Sequence, residues 1–313
     1  MIGDNKKTVI ITGASSGLGL SATRELLDSG DWHVIMAVRD PEKAEAVAKA
    51  FEFPEDSYTI EELELESFES VRRFAKRMQN GRQPDVLVCN AALYLPASPE
   101  AQYTDEGYER SMQVNHLSHF LLLNLMMPVS RSSCWKGGGE EGVIYGIYVQ
   151  SIFVKFDSKL ANMMTILEAH RRYNDKTGIT FNTLYPGRCI AETALFRDKK
   201  PWFRKLFPLF MKYVTGGYVS EPEAGERLAQ VVSDPMCKKS GVYWGWNGGE
   251  IFENEPSAEV QNPEKAKRLW ELSARAVGLP YDEQYYITCA HDDYYYHYYY
   301  YYYYHDYHHH CHY

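Results

Sequence analysis

Long apolar runs, regularly spaced cysteines and an excess of basic residues are all missing from this chain of 313 residues. No segment approaches the roughly 18 apolar residues of a membrane-spanning helix, and no transit peptide or secretory signal is visible. The six cysteines form no C-x-x-C pair, which argues against zinc and against a disulfide scaffold. A formal net charge of -9 argues against a nucleic-acid partner, because such proteins need a basic face. We expect a protein that is soluble or peripherally attached to a membrane, with no resident metal.

Short β-branched runs alternate with helical patterns from about residue 8 to residue 185. This alternation is typical of βαβ units and predicts an α/β fold, a doubly wound parallel sheet of the Rossmann type. Strands are predicted at 8–12, 32–37, 58–63, 86–89, 143–145 and 181–185, with an edge strand at 242–244. Helices are predicted at 18–29, 41–51, 67–79, 104–127, 157–173, 221–233 and 263–277. One domain over residues 1–279 accounts for all of them.

The end of the chain, from about Asp282 to Tyr313, consists mainly of tyrosine and histidine. Its composition fits neither helical nor strand periodicity, so residues 280–313 are predicted to be a low-complexity, disordered tail. A metal-binding tract is the alternative, although such a tail offers no fixed ligand geometry. Its ligands would be His305, His308, His309, His310 and His312.

A glycine-rich turn lies between the first predicted strand and the first predicted helix. Its spacing, G-x-x-x-G-x-G, lets the backbone approach a pyrophosphate placed at the helix N-terminus, and nearby hydroxyl groups add hydrogen-bond donors. A tight turn without a ligand is the alternative, but the strand–turn–helix context favours a dinucleotide site. The predicted contacts are Thr12, Gly13, Ser15, Ser16, Gly17, Leu18 and Gly19.

Arg39 stands at the end of the second predicted strand, where NAD-specific Rossmann domains usually carry an acid for the ribose 2′-hydroxyl. A guanidinium suits a 2′-phosphate instead, so the sequence favours NADPH over NADH. Lys43 is a second candidate phosphate contact, and an ordinary solvated lysine is the alternative.

Further cofactor contacts are expected after the third and fourth strands. Glu64 and Leu65 fall where the adenine ring should lie. Asn90 and Ala91 fall beside the cofactor's ribose.

The chain resembles the short-chain dehydrogenases/reductases, whose landmarks occur in their usual order. These are Thr12–Gly19, Asn90–Ala92, Asn115, Lys159 and Pro186-Gly187. The resemblance implies that Asn115 and Lys159 serve the chemistry. Lys159 would hold the nicotinamide ribose and keep positive charge near a tyrosine four residues earlier, favouring proton transfer.

A closer resemblance, from about Thr8 to Leu279, is to the light-dependent protochlorophyllide reductases. It is carried by the stretches 31–37, 85–92, 178–187, 217–220, 240–244 and 270–273. This resemblance implies a chloroplast protein that reduces a ring double bond of protochlorophyllide with hydride from NADPH, with light absorbed by the substrate. Cys189 is similar to the family's active-site cysteine, although Arg188 is inserted before it. A small buried residue is the alternative for Cys189.

The chain departs from this family in the segment before Lys159. Lys155 occupies the position of the catalytic tyrosine, and the serine or threonine expected after the fifth strand is absent. Only eight positions separate Ile147 from Lys155, where the family has a long loop. Three hypotheses follow: a catalytically impaired homologue that binds NADPH or pigment, a faulty gene model of an active enzyme, or a reductase of the same superfamily with another substrate.

An aromatic and basic segment at 196–213 lies within a predicted substrate lid at about 192–220. Such a segment could also support self-association or contact with anionic lipid. A lid packed over the pigment is the interpretation we favour.

Overall fold

The computed structural model describes residues 6–81, 84–93, 100–127, 145–149, 156–187 and 219–279. For residues 145–149, 156 and 157 only the backbone is described. All but the last two residues of the predicted lid at about 192–220 lie outside these ranges, as does the tail at 280–313, so the proposed domain boundaries remain predictions.

A sheet of eight strands forms the centre of the fold, in the order β3-β2-β1-β4-β5-β6-β7-β8. The strands are β1 Lys7–Thr12, β2 Trp32–Val38, β3 Tyr58–Glu62, β4 Val86–Cys89, β5 Tyr145–Val149, β6 Thr180–Leu184, β7 Tyr243–Asn247 and β8 Glu250–Asn254. Neighbouring strands from β3 to β7 run parallel, and β8 is antiparallel to β7. The predicted doubly wound α/β fold is confirmed.

Helices cover both faces of this sheet. They are α1 Gly17–Asp28, α2 Pro41–Ala50, α3 Phe68–Gln79, α4 Arg110–Met112, α5 Ser118–Met126, α6 Phe156–Thr177, α7 Glu221–Ser233, α8 Ala258–Gln261 and α9 Pro263–Ala276. A π-helical turn, Gln113–Leu117, joins α4 to α5, and a 3₁₀ turn, Pro235–Lys238, follows α7.

The core consists of two clusters, one on each face of the sheet. One cluster contains buried residues of α3, α5, α6 and α9, and the other contains buried residues of α1, α2 and α7. All seven residues of β2 are buried, as expected for an interior strand covered on both faces.

Side-chain caps define where several helices begin. Asp40, Ser67, Ser220 and Asn262 each accept a hydrogen bond from a backbone N–H in the first turn of the helix that follows. These bonds satisfy amide groups that have no partner within the helix.

Three predicted elements needed correction. The helix predicted from Thr104 begins at Arg110, because Thr104 instead bonds the carbonyl oxygen of Tyr108 in a turn. The fifth strand lies at Tyr145–Val149 rather than at 143–145. The strand predicted at the edge is the interior strand β7, since β8 forms the edge.

Candidate active site

The glycine-rich turn lies at the carboxyl end of β1, where the strand order reverses between β1 and β4. Gly13 and Gly17 have φ angles of 71° and 59°, in the left-handed region that favours glycine. A Cβ atom at Gly19 would lie 2.4 Å from Asn90 Nδ2 and 2.6 Å from the carbonyl oxygen of Gly13. The turn therefore lies close against the end of β4, at the position where ligands bind in doubly wound sheets.

The N-terminus of α1 is suited to an anion. Ser16, its N-cap residue, has an extended backbone and makes no side-chain capping bond. The first turn of α1 contains no acidic residue, whereas α2, α3, α7 and α9 each have a glutamate there. Free amide groups and the helix dipole together attract a phosphate group. The partly exposed residues Ser15 and Ser16 add hydroxyl groups, so the donors present fit the predicted pyrophosphate.

Thr12 supports the turn from beneath, because its side chain is fully buried, and its predicted cofactor contact stays a prediction. Its Oγ1 accepts hydrogen bonds from the backbone N–H groups of Asn90 at 2.9 Å and Ala91 at 3.0 Å. Asn90 Nδ2 in turn donates to the carbonyl oxygen of Thr12 at 2.9 Å. These bonds fix the segment after β4 against the glycine-rich turn.

Arg39 lies just beyond β2 on the same edge of the sheet, and 66% of its side chain is exposed. Its guanidinium lies 3.9 Å from a carboxylate oxygen of Glu64 and 3.9 Å from one of Glu66. Contacts this long and this exposed hold a side chain weakly. Arg39 can therefore turn toward an anionic group. Lys43 is exposed in the first turn of α2, and its predicted phosphate contact remains a prediction.

The predicted adenine contacts differ in their surroundings. Glu64 is partly exposed, and its carboxylate accepts a hydrogen bond from the backbone N–H of Glu66. Leu65 is 6% exposed and packs in the core with α3 and α5. Leu18 is likewise buried, so at both leucines only the backbone can face a ligand.

Asn115 lies in the π-helical turn, a form of helix often found at functional sites. Its amide pairs with the backbone of Leu93: Oδ1 accepts from the N–H at 2.6 Å and Nδ2 donates to the carbonyl oxygen at 3.0 Å. The carbonyl oxygen of Asn115 accepts a hydrogen bond from Asn162 Nδ2 at 2.9 Å. Asn115 thus joins α6 to the segment after β4.

Lys159 lies on α6, three residues before Asn162 and so on the same face of that helix. Burial lowers the pKa of its ammonium group to about 7, because a low-dielectric environment disfavours the charged form. A lysine in this state can gain its charge when a polar ligand arrives. Lys155 and Cys189 lie outside the described residues.

The sequence profile of the short chain dehydrogenase family matches residues 7–202. A protein of Marchantia paleacea named "Protochlorophyllide reductase, chloroplastic" is 49% identical to the chain, across 88% of this chain and 68% of that protein. "Protochlorophyllide reductase A, chloroplastic" of Arabidopsis thaliana is 45% identical across 88% and 79%. The chain is a short chain dehydrogenase of the protochlorophyllide reductase family.

Solved structures of other proteins share the fold. Pseudomonas aeruginosa RhlG, solved with NADP, has a TM-score of 0.63 at 20% identity, across 78% of this chain and 95% of that one. A Brucella melitensis 3-ketoacyl-(acyl-carrier-protein) reductase, solved with NADH, has a TM-score of 0.57 at 21% identity, across 78% and 97%. The cofactor of the present family member is a nicotinamide dinucleotide.

The relatives are longer than this family member within the matched region. The match to the Marchantia protein extends over 314 positions, but 88% of the present chain supplies only about 275 of them. About forty residues of the relative therefore have no counterpart here.

Sequence reasoning missed several residues that the structure brings to this site. His116, His119, Asn162 and Ser273 form hydrogen bonds with or next to Asn115. The available signal was the pair of histidines three residues apart within an otherwise apolar stretch, since buried polar groups in such stretches are hydrogen-bonded. The distant partners of His116 come from α6 and α9 and that of His119 comes from β1, and the local sequence indicates none of them.

Proposed function

We propose that the chain catalyses the NADPH-dependent, light-driven reduction of protochlorophyllide to chlorophyllide in chlorophyll biosynthesis. The observation that carries this proposal is 44–49% identity to named protochlorophyllide reductases over about 88% of the chain. This similarity extends well beyond the dinucleotide-binding half. Because those relatives are named as chloroplastic, we place the chain in the chloroplast as well.

NADPH is the proposed cofactor because of Arg39. The guanidinium stands at the end of β2 on long ion pairs, and it can exchange them for a 2′-phosphate that accepts two parallel hydrogen bonds. The carboxylates of Glu64 and Glu66 repel a phosphate at this position, so binding of the 2′-phosphate depends on the positive charge of Arg39.

The chain's own residues place the reacting groups. When bound, the dinucleotide supplies the hydride for the ring double bond. The start of α1 holds its pyrophosphate, and Lys159 holds the nicotinamide ribose, with its ammonium charged in the complex. Asn90 and Asn115 fix the backbone beside that ribose. Protochlorophyllide would lie under the predicted lid, near Cys189.

A second candidate function is supported by Lys155. A lysine at the position of the family's tyrosine provides no phenol for proton transfer, a contribution of roughly 10²–10⁴-fold for a positioned acid. The chain would then bind NADPH or pigment with little turnover. Self-association and contact with a membrane surface stay additional proposals. Among the described residues, no helix is both long enough and apolar enough to span a bilayer.

Illumination of the purified full chain with NADPH and protochlorophyllide tests the proposal. Chlorophyllide is followed by its absorbance, and NADPH binding is measured in the dark on the same sample. Product at the rate of a typical relative supports the reductase, whereas tight NADPH binding without product supports the impaired homologue. In the second case, Lys155→Tyr alone should not restore full activity if the missing residues are also required.

Cofactor choice is tested with Arg39→Ala, using Arg24→Ala as the matched control because Arg24 is an exposed arginine on α1. We expect Arg39→Ala to weaken NADPH binding at least tenfold, as lost charge-assisted bonds do, and to leave NADH binding nearly unchanged. Equal losses for both dinucleotides would contradict NADPH selection by Arg39.

A further inference from the structure

Two buried histidines lie on the helical segment that contains Asn115. His116 and His119 are each 1% exposed, and burial lowers the pKa of each imidazole to about 4. Both rings are therefore neutral at physiological pH, with one nitrogen that donates and one that accepts. The partners of each ring decide which nitrogen carries the proton.

Thr12 decides the tautomer of His119. Its Oγ1 already accepts two hydrogen bonds, from the N–H groups of Asn90 and Ala91, and lies 2.9 Å from His119 Nε2. With both lone pairs used, the hydroxyl can only donate its own proton, and His119 Nε2 at 2.9 Å is a nearer acceptor than the carbonyl oxygen of Val88 at 3.4 Å. The proton of the ring then lies on Nδ1, which faces the carbonyl oxygen of Asn115 at 3.3 Å. A carbonyl oxygen only accepts, so both ends give the same tautomer.

Asn162 decides the tautomer of His116 in the same way. Its Nδ2 donates to the carbonyl oxygen of Asn115, which leaves Oδ1 facing His116 Nδ1 at 3.0 Å. Because Oδ1 only accepts, His116 Nδ1 carries the proton. His116 Nε2 then accepts from the hydroxyl of Ser273 on α9 at 2.8 Å.

Two chains of hydrogen bonds thus end on one atom, the carbonyl oxygen of Asn115. One begins at the glycine-rich turn and passes through His119, and the other begins at α9 and passes through His116 and Asn162. We propose that His119, fixed as its Nδ1–H tautomer, is a positioning residue that holds Asn115 and the segment Asn90–Leu93 in place for the bound dinucleotide. His116 supports the same carbonyl oxygen through Asn162.

This inference rests on the proposed function only in taking the dinucleotide as the ligand. The two ends of the His119 ring make separate contacts, and amide side chains can keep one contact each. Asparagine places its amide near the position of Nδ1 and retains a donor toward Asn115. Glutamine reaches the position of Nε2 and retains an acceptor for Thr12.

The experiment compares the full chain carrying His119→Asn or His119→Gln with a matched control, His170→Gln. His170 lies on α6 and bonds Ser240 through one ring nitrogen. NADPH dissociation constants are measured in the dark, with hydrogen exchange of the Leu93 amide, which bonds Asn115 Oδ1. We expect His119→Asn to weaken NADPH binding at least about fivefold, since one hydrogen bond is worth roughly 1 kcal/mol.

His119→Gln should weaken NADPH binding less than His119→Asn does, because it keeps the bond to Thr12, but it should accelerate exchange at Leu93 by about tenfold, because it loses the donor to Asn115. The control should change neither quantity. Equal changes in both His119 variants would overturn the inference, since a merely structural histidine would act through stability alone.

Imidazole ¹⁵N spectra of the wild-type chain provide a test that needs no variant to fold. Two rings should show the Nδ1–H tautomer and remain neutral from about pH 8 to about pH 5.5. An Nε2–H pattern at His119 would overturn the proposal. These results are independent of light-driven turnover, so an inactive chain would refute the proposed function without deciding the role of His119.

Discussion

Gly19 shows how one residue can tie the cofactor turn to the neighbouring strand. We predict that Gly19→Ala destabilises the protein by about 1–3 kcal/mol, as overpacking does, because its Cβ would overlap Asn90 Nδ2 and the carbonyl oxygen of Gly13. Dinucleotide binding should weaken at least tenfold, as measured by fluorescence titration. Gly30→Ala is the control for binding: its φ of 78° strains an alanine, but nothing lies within 4 Å of a Cβ there, so it should lower stability and leave dinucleotide binding unchanged. Equal effects on binding would argue against the close approach at Gly19.

Lys159 gives a pH dependence whose sign follows from its lowered pKa. From about pH 10.5 down to about pH 7, the unfolded chain carries a proton on this lysine that the folded chain lacks. Its contribution to the free energy of unfolding therefore falls as the pH falls through this window and is constant below it. Lys159→Met should remove this pH dependence. As the pH falls from 10 to 7, the variant should therefore gain stability relative to wild type.

The control for Lys159→Met is Lys176→Met, an exposed position on the same helix. Urea unfolding at several pH values should give the control a stability difference that does not vary with pH. A flat profile for Lys159→Met as well would mean that Lys159 keeps an ordinary pKa in the folded state.

At the scale of elements, the segment from α4 to α5 adds a second pH dependence. His116 and His119 have lowered pKa values of about 4, against 6.5 for an unperturbed histidine. As the pH falls from 6.5 to 4, protons bind the unfolded chain first, so stability falls by about 3 kcal/mol for each ring. His119→Gln should therefore lose less stability than wild type between pH 7.5 and pH 5, measured by denaturant unfolding.

His170→Gln serves as the comparison for this second pH dependence. His170 is less buried, so its removal should change the acid sensitivity less. An unchanged acid sensitivity in His119→Gln would show that this ring titrates normally in the folded chain.

Helices α1 and α7 pack closely, and Gly225 permits it. A Cβ at this position would lie 2.4 Å from Ser21 Cβ and 2.8 Å from the backbone nitrogen of Ala22. Alanine favours a helix over glycine by about 1 kcal/mol, yet we predict that Gly225→Ala destabilises the protein by about 1–3 kcal/mol, because backbone atoms cannot move aside. Glu226→Ala, at the exposed neighbouring position, should change stability by less than about 0.5 kcal/mol. Thermal unfolding of both variants measures the difference.

How far the sequence predicts an element depends on whether its determinants are local. The strand at β2 and the helix at α7 were predicted within one residue, because their apolar patterns and caps lie within the segments themselves. Strand β8 was missed, since its residues are mostly exposed and polar and only pairing with β7 defines it. The π-helical turn was also missed, because its partners come from distant segments.

The same distinction applies to the site. The glycine spacing and Arg39 carry their chemistry within a few residues, so the sequence alone predicts a dinucleotide site there, and the structure puts both at the same edge of the sheet. The buried state of Thr12 and the bonds of His119 depend on β4 and on the π-helical turn. Only the assembled structure shows them.

At the scale of the whole molecule, α9 closes one face of the core. Trp270 is 1% exposed, and its ring centroid lies 4.8 Å from that of Phe120 and 5.8 Å from that of Tyr173. Beyond the helix, the backbone N–H of Leu279 bonds the carbonyl oxygen of Ala274 at 2.8 Å, and the leucine is buried. The packed part of this face thus continues to Leu279.

We therefore predict that a chain ending at Leu279 folds and binds NADPH like the full chain, with a melting temperature within about 2 °C. The reason is that the Tyr- and His-rich tail has no apolar periodicity with which to pack. A chain ending at Gln261, which also loses α9, is the contrasting variant. It should unfold or aggregate, because the loss of the buried Trp270 side chain alone lowers the free energy of unfolding by about 3–5 kcal/mol. Circular dichroism melts of the three chains measure both effects, and a large loss on removing only the tail would assign it a part in the fold.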